Sequence, residues 1–124
     1  MEQQNYTDKP TLAAWNELAH AAESVPKIAT GTYTGDGAAS RTINLGFTPK
    51  AVLLVNNNGV PYQVANYTIY YGGLVFPGAP AVYYETEYLS VVTNGFRVVE
   101  TSPVSWLLFR LNTSGETYRY IAFG

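Results

Sequence analysis

The chain has no cysteine, a single histidine, a single methionine and few charges. Without cysteine, disulfides, thiol catalysis and cysteine-ligated metal sites are excluded together. Charged residues are 13% of the chain, and the 7 basic ones are scattered singly within a net charge of -2. No basic stripe follows from that scatter, so nucleic acid is not an expected partner. Long hydrophobic runs are missing too. Ala51–Val55 and Trp106–Phe109 are each a strand's length, far short of the roughly 20 residues a spanning helix needs, so no membrane insertion is expected. The opening MEQQNYTDKP has neither the basic nor the apolar part of a signal peptide, and none is predicted. No Walker loop and no G-x-G-x-x-G stands before a helix.

Hydrophobic residues are plentiful, at 47% of 124 residues, which suits one domain with one core. Tyrosine is high, at 11 residues. Tyr with Thr and Val favours pleated, half-buried strands, while Gly, Asn and Pro punctuate turns. Tyrosine also supplies flat amphipathic contact area at low entropic cost. Composition therefore admits both a plain β protein and a β protein with a contact surface.

Residues 1–7 are polar and aperiodic and are expected to form a flexible tail. The spacing predicts an amphipathic helix over 8–25. Asp8 caps its start, Pro10 suits its first turn, and Pro26 stops it. Leu12, Trp15, Leu18, Ala19 and Ala22 form its apolar stripe. A helix that short must pack against something: its own β domain, or copies of itself, since part of the stripe has heptad spacing. Self-association through this stem is the expectation.

From residue 28 the hydrophobic period changes to two. Predicted strands are Ile28–Thr34, Arg41–Leu45, Ala51–Asn56, Leu89–Thr93, Phe96–Glu100, Trp106–Asn112 and Thr117–Phe123. Tyr67–Tyr71, Gly73–Phe76 and Ala81–Thr86 are weaker candidates, cut short by Pro61, Pro77 and Pro80. Ala51–Asn56 reads as a strand of the fully buried kind. Asn56–Gly59, Asn94-Gly95 and Ser114-Gly115 read as turns, and Phe47 is expected to fold back under the core. The fold class is mainly β: an antiparallel sandwich of about six to eight strands over 26–124, preceded by one short helix.

Catalytic groups are scarce. His20 falls on the polar side of the predicted helix with no nucleophile nearby, so a Ser-His-Asp triad is not expected. Glu85 and Glu87 are two apart, and on a strand they share a face. That would suit paired-carboxylate glycoside chemistry, against the plainer reading of an exposed strand beside a tyrosine-rich surface. Asp36 in Gly-Asp-Gly offers one carboxylate where a calcium loop needs several oxygens, and a tight turn explains it better. No cofactor, metal or catalytic residue is expected. The remaining feature is a run of tyrosines: Tyr62, Tyr67, Tyr70, Tyr71, Tyr83, Tyr84 and Tyr88. Such rings stack on the C–H face of a sugar, or fill a subunit interface, where tyrosine is also enriched. Both readings stay open here.

Three segments stand out together: PKIATGTYTG at 26–35, RTINLGFTPKAVLLV at 41–55 and YIAFG at 120–124. This arrangement resembles the C-terminal domains of phage and prophage tail-fibre or receptor-binding proteins, especially from phages of Gram-positive gut bacteria. The resemblance implies a homotrimeric β head on a short helical bundle. It also implies a place in the virion after synthesis in the bacterial host cytoplasm. The implied partners are other virion proteins and a host cell-surface carbohydrate. The Arg-x-Ile-x-Leu-x-Phe-x-Pro-x-x-Val run from Arg41 is similar to the framework of H-type lectins, trimeric sandwiches that bind N-acetylgalactosamine. That family's sugar-contacting residues have no counterpart here, so no site is carried over. A stand-alone lectin-like domain and, less favoured, a polysaccharide-degrading enzyme are the alternatives.

Overall fold

The computed structural model describes residues 27–124. The predicted tail over 1–7 and the predicted helix over 8–25, with Leu12, Trp15, Leu18, Ala19 and Ala22, lie outside the described residues. So does His20.

Alternating apolar residues and frequent turn formers produce strands throughout. In chain order they are β1 (Ile28–Thr34), β2 (Ser40–Asn44), β3 (Ala51–Asn56), β4 (Tyr62–Val64), β5 (Thr68–Tyr70), β6 (Gly73–Val75), β7 (Ala81–Tyr83), β8 (Thr86–Val92), β9 (Gly95–Val99), β10 (Leu107–Phe109) and β11 (Thr117–Phe123). The expected six to eight become eleven, because Pro and Gly divide the middle of the chain into strands of three residues. One sheet has the order β1-β11-β3-β6, a second β2-β9-β8-β7, and a small third β10-β5-β4. All pairs are antiparallel except β10 with β5, which run parallel. Their connection is correspondingly long and passes through β6 to β9.

The two four-stranded sheets enclose the core. Tyr33, Val52, Leu54, Val75, Tyr118 and Ala122 come from one, and Ile43, Leu89, Phe96 and Val98 from the other. Phe96 meets Tyr33 at 6.2 Å and Tyr120 at 5.3 Å between ring centroids, joining the layers. Phe47 is half-buried and packs against this core, as its position in the turn predicts. A Cβ at Gly95 would collide with the carbonyl oxygen of Ile43, so only glycine lets β2 approach β9 there.

The β3 strand departs from expectation. Val52 and Leu54 are fully buried, but Leu53 is 38% exposed. The first sheet covers the core with one face only, so the continuous apolar run alternates in burial after all. Leu53 pairs across the sheet with Ile121 on β11 and Leu74 on β6, an apolar row on the outer face. The expected strand over Trp106–Asn112 shrinks to Leu107–Phe109. Trp106 is exposed before it, and Asn112 is buried beyond it. The hairpin placed at Asn94-Gly95 turns one residue earlier, at Thr93-Asn94, because Val92 pairs with Gly95. No helix among the described residues is long and apolar enough to cross a membrane.

Candidate functional site

Three of the other six singled-out tyrosines converge on Tyr70. This residue ends β5, and its ring centroid lies 4.9 Å from Tyr62, 5.7 Å from Tyr83, 4.7 Å from Tyr88 and 6.1 Å from Phe109. Tyr62 is its direct cross-strand partner on β4. Tyr88 and Phe109 stack nearly parallel at 4.7 Å, and both are buried. The arrangement has a floor and a rim. Tyr88 and Phe109 form the floor, Tyr70 sits half-buried above them, and Tyr62 and Tyr83 are exposed.

A bulge makes the floor possible. Leu89 faces the core, so simple alternation would turn Tyr88 outward. Between β7 and β8 the register shifts: Ala81 opposes Leu89, and Val82 opposes Glu87. The extra residue is Tyr88, and the bulge aims it inward beside Leu89. Burial pushes the Tyr88 phenol up to about 12, with the neighbouring Tyr70 adding to the effect. Tyr70 is raised as well, by burial first and then by the Tyr62 and Tyr83 phenols. The floor rings therefore stay neutral well beyond physiological pH.

The rim continues through a tight turn. Tyr83 pairs with Thr86, so Tyr84-Glu85 is a two-residue hairpin loop. Its φ angles are 52° and 61°, as a type I′ turn requires. Asn-Gly is the usual occupant of such a turn, and left-handed backbone costs an ordinary residue about 1–2 kcal/mol. Here the turn holds Tyr84 out at 54% exposure, its ring edge-on to Trp106 at 5.6 Å. Trp106 is itself 43% exposed. Two exposed rings, Tyr62 and Tyr83, thus pack on Tyr70 above the buried floor, and a second exposed pair, Tyr84 with Trp106, follows through the turn after Tyr83.

No family model, curated protein or solved structure matches the chain.

The other singled-out residues separate from this group. Tyr67 is exposed and makes no ring pair among the described residues. Tyr71 follows Tyr70 but lines a different depression, its hydroxyl donating to Gln63 Oε1 at 3.4 Å. Glu85 lies in the turn and Glu87 on β8, so the shared strand face expected for them does not exist. Glu87 instead lines a depression with Phe76, Pro80 and Ser90. Among the described residues, no group of His, Cys, Asp or Glu is arranged to hold a metal ion.

Pattern reading also did not assemble a polar cluster around Asn112. Asn112 is fully buried. Its Nδ2 donates to Asp36 Oδ1 at 2.6 Å and to the Ala38 carbonyl at 3.1 Å. Its Oδ1 accepts from the Asp36 backbone N–H and from Arg41 Nη1, both at 3.2 Å. Its backbone N–H donates to Glu100 Oε1 at 2.8 Å, and Thr113 Oγ1 donates to Glu100 Oε2 at 2.7 Å. Asp36 also accepts the Ala38 N–H at 2.9 Å, a closure made by its side chain, where a type I′ or II′ backbone turn is expected of Gly-Asp-Gly. Every polar atom of the Asn112 side chain is satisfied internally, so the cluster fastens two loops together and offers nothing to a ligand.

Proposed function

We propose that this chain is a non-catalytic recognition head, the attachment domain of a phage tail fibre, which contacts a host cell-surface glycan through its exposed ring platform. One observation carries the reading: Tyr62 and Tyr83 are held at the surface on Tyr70 and its floor of Tyr88 and Phe109, while a turn in positive φ holds out Tyr84 edge-on to the exposed Trp106. Exposed rings on a rigid base are costly to keep wet and valuable against the apolar face of a sugar ring. Backbone strain of this kind concentrates at sites that use it. The resemblance of the 26–35, 41–55 and 120–124 segments to tail-fibre heads supplies the setting, a homotrimer in which weak single contacts add up through avidity.

The test is a glycan array probed with the intact protein and with Tyr84→Ala and Trp106→Ala. The expected result is binding to a subset of glycans, lost in both variants, with folding stability changed by less than about 0.5 kcal/mol for Tyr84→Ala. Absence of binding across a broad array would overturn the glycan reading. Sedimentation of the same samples tests the assembly. A trimer that falls apart in Tyr84→Ala would assign the rings to a seam between copies, and a solitary wild-type chain would remove the trimeric setting.

A further inference from the structure

The ends of β5 and β10, where Tyr71 and Arg110 follow the strands, border a different kind of surface. A depression of about 270 Å³ opens there, lined mainly by polar residues: Asn56, Asn58, Tyr71, Arg110, Thr113 and Glu116, with Tyr118 at its base. The sequence reading singles out only Tyr71 of these as a contact residue.

We infer that this depression is a second binding site, one that holds a single neutral, hydroxyl-rich ring such as a monosaccharide unit. The claim goes beyond the ring platform and does not depend on it. The backbone of each residue that would read the ligand is already fixed. The Arg110 N–H donates to the Tyr70 carbonyl at 2.9 Å, and its own carbonyl accepts the Tyr118 hydroxyl at 2.6 Å. The Tyr71 N–H donates to the Pro61 carbonyl at 2.9 Å. The Asn58 N–H donates to Asn56 Oδ1 at 2.9 Å, which holds the Asn56–Gly59 turn. The Glu116 N–H donates to the Thr113 carbonyl at 3.0 Å, and its carbonyl accepts the Gly35 N–H at 2.8 Å.

Their side chains, by contrast, are uncommitted. Among the described residues, the Arg110 guanidinium, the Glu116 carboxylate and the Asn58 amide bond to nothing, and the Tyr71 hydroxyl has only its long contact with Gln63. A fixed backbone keeps these polar termini within reach of one ligand, and their lack of partners leaves their donors and acceptors available to it, at the cost of ordering the side chains on binding. Guanidinium, carboxylate and amide are planar groups that each present two polar atoms side by side, a match for adjacent hydroxyls. The charges choose the ligand class. An anion would meet Glu116, and a cation would meet Arg110, whereas a neutral polyol satisfies both. The volume lies just below the range of drug-sized pockets and suits one ring.

The test uses 15N-labelled protein titrated with galactose, glucose, mannose and N-acetylglucosamine on the order of 10 mM, enough to fill a site with Kd near about 1 mM. The expected result is saturable amide shifts confined to 56–60, 71 and 110–116 with at least one sugar. Arg110→Gln and Glu116→Gln should each weaken that binding about tenfold, while Tyr84→Ala leaves it unchanged. Both Gln variants alter exposed side chains and keep the backbone bonds, and an unchanged Tm confirms that they fold. Shifts at none of these amides, an unchanged Kd in the Gln variants, or shifts produced by alanine as a zwitterionic probe but by no sugar would overturn the inference. Loss of binding in Tyr84→Ala would show that the ring platform, and not this depression, is the sugar site.

Discussion

The Asn112 cluster and the Tyr70 platform both gather side chains from distant parts of the chain, yet they end in opposite states. Around Asn112 every donor and acceptor of the side chain is used, and the residue is fully buried. Around Tyr70 the lower rings are buried while Tyr62 and Tyr83 beside it stay in water. A saturated cluster has spent its interactions on the fold. A platform with exposed aromatic faces keeps interactions in reserve, and its turn holds Tyr84 and Glu85 in a conformation most residues avoid. The contrast separates what holds this protein together from what it has left to offer a partner.

The largest effect is expected where the platform borders the core. Phe109→Ala removes the ring that Tyr88 stacks on at 4.7 Å, and Phe109 is fully buried. The loss should be about 3–5 kcal/mol, from transfer plus the cavity left behind. Urea unfolding measures it. A cost below about 1 kcal/mol would show that the floor is loosely packed and that the rim rests on something else. Next comes Asn112→Ala. It strips partners from Asp36, Arg41 and the Ala38 carbonyl, with an expected cost of about 2–3 kcal/mol. Part of that cost is recovered because Asp36 and its loop can be rehydrated. Glycan binding should be unaffected, and a loss of binding there would dissolve the distinction between the two clusters.

A third change should raise stability. Replacing Tyr84-Glu85 with Asn-Gly gives the I′ turn its preferred residues and is expected to add about 1–2 kcal/mol, read as a higher Tm. The same variant should lose contact with any glycan bound at the platform. A gain in stability with binding intact would mean that the strained turn serves no recognition role. That outcome would move attention to Tyr62 and Tyr83.

How much of this was legible in the residues follows from the physics of each element. Alternation exposes strands, and Asn and Gly mark turns, so the mainly β fold and the β8–β9 hairpin could be read directly, while the β4–β5 and β7–β8 hairpins could not. Strand pairing over long distances could not. The parallel β10–β5 pair depends on chain ends brought together by everything between them. The bulge at Tyr88 breaks the very alternation by which it would have been predicted. For Glu85 and Glu87 the same rule misled, because a turn of Tyr and Glu carries none of the usual turn signals. Asn112 left a faint trace. It is a polar residue just after the apolar run Trp106–Phe109 and the Arg110-Leu111 pair, beside a Thr-Ser-Gly turn. Its partners lie more than seventy residues away at Asp36 and Ala38, and no local pattern points there. The platform was legible as a density of tyrosine but not as a geometry, and Trp106 was missed because it was counted into a core strand.

The smallest expected effect concerns pH and falls on the saturated side of the contrast. The Asp36 carboxyl is held below its ordinary value of 3.8, first by the Ala38 N–H, then by the Asn112 amide, with Arg41 helping. A carboxyl with a depressed folded pKa contributes stability that is present above its unfolded value and lost as pH falls through the folded one. Acidification below pH 3.8 should therefore loosen the loop at Asp36. Asp36→Asn cannot titrate, so its stability should fall less steeply across that acid range, and the two unfolding curves should converge at the acid end. Parallel curves would show that the carboxylate bonds add nothing beyond what an amide supplies. Because Asp36 is exposed, solvent screens its charge and the difference will be small. A loop held mainly by the neutral, buried amide of Asn112 should feel the titration of Asp36 only weakly.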